Sequence, residues 1–131
     1  MDYQAAVSAI REAVPGAIAV YLFGSRARGD AGRDSDVDLA VLAPAPLDTL
    51  ARFELQERIA AALHASVDLV DLRAASTVMR VQVLEHGELL DEGDTAERAR
   101  FEMTALAGYA RLNEERKGIL EDVERTGRVH G

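Results

Sequence analysis

The stretch LFGSRARGDAGRDSDVDLAVL, residues Leu22–Leu42, decides the fold because it holds two apolar runs separated by a charged loop. The first run ends at Gly24–Ser25, where glycine lets the backbone turn sharply. The second run covers residues 37–42; Asp36 stands directly before it and Asp38 lies within it. Two short apolar runs joined by a glycine-containing loop predict a strand, a loop and a second strand.

The rest of the chain alternates between helical and strand patterns. Apolar residues recur every three or four positions in four segments, and short apolar or alternating runs separate them. We predict helices over residues 2–13, over residues 47–63, from about 94 to 125, and up to about His86 after a cap at Ser76 and Thr77. Strands are predicted over residues 17–23, 37–42, 66–72 and 88–93, the last at an edge. This order predicts one α/β domain over residues 1–131.

Composition limits the classes of function. The 131 residues include no cysteine, which excludes a thiol nucleophile and a disulfide framework. A net charge of -8 makes direct nucleic-acid binding unexpected, since phosphates would be repelled. We find neither a signal-peptide pattern nor an apolar run of the ~20 residues that a membrane span needs. A cytoplasmic protein without membrane contact is therefore expected.

Two carboxylates stand at the start of the second strand. Residues two apart on a strand share a face, so Asp36 and Asp38 would repel each other by about 2–3 kcal/mol at an effective dielectric near 20. One interpretation is a cluster of ion pairs with Arg26, Arg28 and Arg33. The other is a site for divalent cations, because Mg²⁺ prefers hard oxygen ligands.

The loop before these acids has the chemistry of a phosphate site. The turn at Gly24 and Ser25 offers amide groups and a hydroxyl to phosphate oxygens, and Arg28 adds a guanidinium. Together with the acids, these residues predict a nucleoside triphosphate site. Two-metal chemistry needs a third carboxylate, for which SVDLVDL offers Asp68 and Asp71. They fall on opposite faces of a strand, so only one can reach the site.

The stretch GSRARGDAGRDSDVDL resembles the Gly-Ser, ten-residue gap, Asp-x-Asp signature of the DNA polymerase β-like nucleotidyltransferase superfamily. Within it, the chain is most similar to the minimal nucleotidyltransferases that serve as antitoxins of HEPN-domain toxins. The resemblance implies an α+β fold in which a small mixed sheet packs against helices. It also implies nucleotide binding by Gly24, Ser25 and Arg28, and catalysis with coordination of two Mg²⁺ ions by Asp36, Asp38 and Asp68.

The resemblance further implies a function. Such antitoxins, in type VII-like toxin–antitoxin pairs, move AMP from ATP onto a tyrosine of a HEPN ribonuclease and neutralise it. Two alternatives remain open: an antitoxin that only binds its toxin, and a nucleotidyltransferase that acts on a small hydroxylated molecule. The intact set of acids favours an enzyme over a pure binder.

The last predicted helix carries more apolar surface than a small sheet needs. Its apolar residues fall into two stripes: Phe101, Ala105, Tyr109 and Leu112 in the first, and Ala99, Met103, Leu106 and Ala110 in the second. Either both stripes cover the core, or part of the band docks a partner.

Overall fold

The computed structural model describes residues 1–29, 32 and 35–126, with side chains up to residue 121. Helices are α1 Gln4–Ala13, α2 Ser25–Arg28, α3 Thr49–Leu63, α4 Thr77–His86 and α5 Thr95–Thr126, and strands are β1 Ala19–Phe23, β2 Val37–Leu42, β3 Val67–Asp71 and β4 Glu88–Glu92. The predicted order of helices and strands is confirmed. The short helix α2 was not predicted, because four residues carry no helical periodicity.

The four strands form one mixed sheet in the order β3-β2-β1-β4. Strand β1 pairs antiparallel with β2 and with β4, whereas β2 and β3 run parallel. A parallel pair needs a crossover, and α3 supplies it. The prediction of a small mixed sheet with β4 at an edge is confirmed, and β2 lies in its interior.

Helices cover both faces of this sheet because side chains alternate along each strand. On one face, Leu22, Leu39 and Leu69 pack with α1 and α3 in a first apolar cluster. On the other face, Tyr21 and Ala40 join α4 and α5 in a second cluster. The even-numbered residues of β2 and the odd-numbered residues of β1 therefore point toward α4 and α5.

Helix α4 begins and ends on local signals in the sequence. The Ser76 side chain accepts a hydrogen bond from the amide of Met79, which confirms the predicted cap. Gly87 follows the helix in an extended conformation, with a φ of -80° and a ψ of 161°. Any residue can adopt this conformation, so a left-handed turn is not the reason for glycine here. A Cβ at this position would lie 2.4 Å from the Val83 carbonyl oxygen and 3.1 Å from that of Leu22. The Val83 carbonyl in the last turn of α4, more than the packing against β1, therefore requires glycine here.

The two apolar stripes of α5 differ in burial. Phe101 and Ala105 of the first stripe are buried, and the Phe101 ring lies 5.3 Å and 5.2 Å from the guanidinium carbons of Arg73 and Arg80. In the second stripe, Met103 is 73% exposed. One stripe thus covers the core while the other faces outward. No helix in the described part of the chain is long and apolar enough to cross a membrane.

Candidate active site

Gly24 joins β1 to α2 in a conformation that favours glycine. Its φ is 72° and its ψ is -156°. A Cβ at this position would lie 2.2 Å from Oδ2 of Asp38, so a side chain would displace that carboxylate. No described side chain accepts a hydrogen bond from the amides at the start of α2, while the amides of Ala27 and Arg28 donate to the Gly24 carbonyl. The Gly24–Ser25 turn therefore lies directly against Asp38.

Strand pairing brings three carboxylates together. Asp38 is the register partner of Phe23 on β1 and of Asp68 on β3. Asp36 is exposed and lies two residues before Asp38 along the chain. Partial burial raises the pKa of Asp38, and the negative charges of Asp68 and Asp36 raise it further, while Arg28 opposes them. The three acids are thus close enough to interact electrostatically.

Asp71 has a different role. It is 5% exposed, and its carboxylate accepts hydrogen bonds from the amides of Leu47 (2.8 Å) and Arg73 (3.0 Å). It lies three residues after Asp68 on β3, so the two side chains leave the sheet on opposite faces. Asp68 is therefore the acid of this strand that lies beside Asp38, and Asp71 braces the loops that follow β2 and β3.

The arginines between β1 and β2 make different contacts. The guanidinium of Arg26 donates twice to the carbonyl of Ser35, at 3.1 Å and 2.7 Å, and so holds the backbone directly before Asp36. Arg28 lies near Asp38, whose pKa it lowers. Arg33 lies outside the described residues. Among the described residues, Arg26 therefore binds the backbone rather than Asp36 or Asp38.

A cavity of about 390 Å³ opens beside the Gly24 turn. It is lined by Phe23, Gly24, Arg28, Gln82 and His86. In the sequence, His86 marks only the end of a predicted helix, and no pattern assigns a role to Gln82. Their spacing could have linked them, because residues four apart on a helix share a face.

The chemistry of the three acids suits a magnesium ion, although the three side chains alone do not form a site that could hold one. Within the described ranges, no group of three acidic or histidine side chains encloses a position where an ion could sit. Mg²⁺, however, is commonly held by one or two carboxylates and completes its shell with water and substrate phosphates. The repulsion that raises the pKa of Asp38 is what a cation would relieve. Asp36, Asp38 and Asp68 therefore fit the ion if phosphate oxygens share in binding it.

Comparisons with known proteins identify the family to which the chain belongs. Residues 7–96 match the family described as "Polymerase beta, Nucleotidyltransferase". The protein adenylyltransferase MntA of Shewanella oneidensis is 42% identical over 117 residues, which cover 89% of this chain and 84% of that protein.

Solved structures give the same result. A chain from a toxin–antitoxin crystal structure with AMP-PNP superposes with a TM-score of 0.84 at 40% identity, covering 95% of this chain and 99% of the other. A chain from the complex of a tri-AMPylated Shewanella oneidensis HEPN toxin with its MNT antitoxin gives 0.73 at 39% identity, covering 90% and 92%. The chain therefore belongs to the polymerase β nucleotidyltransferase family, within the branch that contains MntA.

Proposed function

We propose that this protein is the antitoxin of a toxin–antitoxin pair and transfers AMP from ATP to a tyrosine of a HEPN ribonuclease toxin. The observation that carries the proposal is the pairing of Asp38 with Asp68 across β2 and β3, beside the Gly24 turn. The relative named protein adenylyltransferase and the matched toxin–antitoxin structures support it. The covalently attached AMP neutralises the toxin. The transfer takes place in the cytoplasm.

The first part of the mechanism is binding of the triphosphate. The amides that follow Gly24, the Ser25 hydroxyl and the Arg28 guanidinium are donors that suit phosphate oxygens. Glycine is also needed at position 24 for the proposed metal ligand, because a Cβ here would collide with the Asp38 carboxylate. Arg28 lies on the same side of Asp38 and balances part of the negative charge.

The second part is alignment of the reacting groups. Asp36 and Asp38 would hold Mg²⁺, and the bound ion would supply charge neutralisation on the triphosphate. Asp68 lies on the β3 side of Asp38, where it can orient the attacking phenol and accept its proton. The phenolic oxygen forms a bond to the α-phosphorus, the bond between the α-phosphorus and the bridging oxygen to the β-phosphate breaks, and diphosphate leaves. Catalysis of this kind depends mainly on positioning.

The third part is recognition of the acceptor. The outward side of α5 exposes Met103 and Leu106, and further along the helix Ile119 and Leu120 are each 64% exposed. Contiguous exposed apolar side chains mark protein-docking surfaces, and Met103 and Leu106, three residues apart, are neighbours on one side of the helix. We propose that the toxin binds here and thereby brings a tyrosine to the acids at the end of the sheet.

The experiment combines transfer and toxicity. We expect labelled ATP with Mg²⁺ to label the co-encoded toxin on tyrosine, and we expect the toxin's RNA cleavage to fall. The double variant Asp36→Asn/Asp38→Asn should abolish labelling, whereas Glu57→Gln, on the exposed side of α3, should not. A toxin that stays unmodified but is fully inhibited, also by the double variant, would favour an antitoxin that only binds.

The second alternative, a small hydroxylated acceptor, has a different signature. It predicts label in a low-molecular-weight product with an unmodified toxin. The exposed apolar side chains of α5 favour a protein acceptor instead, since a small substrate has no need of them.

A further inference from the structure

The cavity beside Gly24 contains two polar side chains that the roles above do not use. Gln82 and His86 lie in the last two turns of α4, four residues apart, and both are exposed at the rim. The other lining residues are Phe23, Gly24 and Arg28. None of the five carries a carboxylate, although the chain has a net charge of -8. The cavity is therefore suited to an anionic group.

Its position relative to the acids is set by the sheet. Asp68, Asp38 and Phe23 are neighbours across β3, β2 and β1 on one face, and the cavity begins at Phe23. In-line displacement needs the attacking and leaving oxygens on opposite sides of the α-phosphorus. If Asp68 orients the attacking oxygen, the leaving diphosphate lies on the β1 side. That side contains Gly24 and the cavity.

We propose that Gln82 and His86 bind the terminal phosphates of the nucleoside triphosphate and then the leaving diphosphate. The inference rests on the proposed nucleotidyl transfer and extends its phosphate site onto α4. The Gln82 amide and the His86 ring N–H are hydrogen-bond donors suited to phosphate oxygens. The ring nitrogen of His86 lies 3.9 Å from Glu85, at the limit of an ion pair, so this contact does not hold it away from a ligand.

A nucleobase is the competing occupant, because Phe23 offers an aromatic ring. Two observations favour phosphate. Arg28, which lines the cavity, also interacts with Asp38, so the cavity is continuous with the proposed metal site. Gln82 and His86 line it as well, so together with Arg28 three side chains offer hydrogen-bond donors to one bound group.

Calorimetry in Mg²⁺ with ATP, inorganic diphosphate and AMP tests the assignment. In Gln82→Ala and His86→Ala we expect the affinities for ATP and diphosphate to fall by about three- to tenfold, as for hydrogen bonds at a solvent-exposed rim. The affinity for AMP should not change. The control is His64→Asn, at an exposed position with a φ of 52°, which asparagine tolerates. Circular dichroism should show intact folding in all variants.

Unchanged affinities for ATP and diphosphate in both variants would overturn the inference. So would a wild-type chain that does not bind diphosphate, or an equal loss of affinity for AMP, which would assign the cavity to the nucleoside. These measurements need no toxin. A chain that binds diphosphate through His86 but never labels the toxin would therefore refute the proposed function alone.

Discussion

Replacing Asp38 by asparagine should make the protein more stable while abolishing its activity. Burial and the charges of Asp68 and Asp36 raise the pKa of Asp38, so the folded state favours its neutral form. The stabilising contribution of that neutral form is lost as the pH rises through the folded-state pKa. At pH 7 the ionised carboxylate therefore costs stability, and the uncharged isostere should recover it.

The size of the effect follows from Coulomb's law. Carboxylates on adjacent strands lie about 5 to 6 Å apart, which gives a repulsion of about 0.7 kcal/mol in water and about 3 kcal/mol at an effective dielectric of 20. Because Asp36 and Asp68 are exposed, screening favours the lower end of this range. For both neighbours together we expect about 1 to 2 kcal/mol, or a rise in Tm of about 3 to 8 °C for a chain of this size.

Thermal unfolding in EDTA measures this directly. The advantage of Asp38→Asn over wild type should be larger at pH 7 than at pH 4, and Mg²⁺ with ATP should stabilise only the wild type. Asp71→Asn is the contrasting variant: its carboxylate is buried and accepts two amide hydrogen bonds, so its loss should lower Tm. An Asp38→Asn protein that is no more stable than wild type in EDTA would refute the reasoning.

Three further predictions concern other parts of the chain. Gly24→Ala should lose ATP binding in calorimetry and about 1 to 3 kcal/mol of stability in urea unfolding, since the added Cβ meets Asp38 at a strained φ; unimpaired ATP binding would contradict this. Met103→Glu, at a 73% exposed position, should weaken toxin binding in a pull-down without lowering Tm, and equal capture would exclude this face. Burial raises the pKa of Tyr21 to about 12, so its contribution to stability is present below its unfolded pKa, about 10, and disappears as the pH rises toward 12. Ultraviolet titration should show one late tyrosinate, absent in Tyr21→Phe.

Local patterns were sufficient to predict most elements of the fold. The bounds of β2, residues 37–42, agree with the prediction because the apolar run lies between a charged loop and a proline-rich turn. The helix that starts after Ser76 was predicted from its cap. The sequence predicts a loop where α2 forms, since the single turn of this helix depends on the conformation at Gly24 rather than on periodicity.

Prediction of the site requires knowledge of strand pairing and helix packing, which a linear sequence pattern does not contain. Alternation showed that Asp68 and Asp71 face opposite ways, but only the pairing of β3 with β2 shows which one lies beside Asp38. The cavity escaped detection because Gln82 and His86 approach Phe23 through the packing of α4 on the sheet. In the same way, periodicity found both stripes of α5 and could not tell which one packs. The roles of the site residues in binding and catalysis remain predictions.

The parallel pairing of β2 with β3 has a consequence for the stability of the protein in the cell. The chain must complete the α3 crossover before Asp38 and Asp68 can meet, so an unfolded chain has no assembled nucleotide site. A ligand that binds only the native state shifts the folding equilibrium, by about 1.4 kcal/mol for each tenfold excess over its Kd. We therefore expect a fall in cellular ATP to act twice, withdrawing the AMP donor and enlarging the unfolded fraction exposed to proteases.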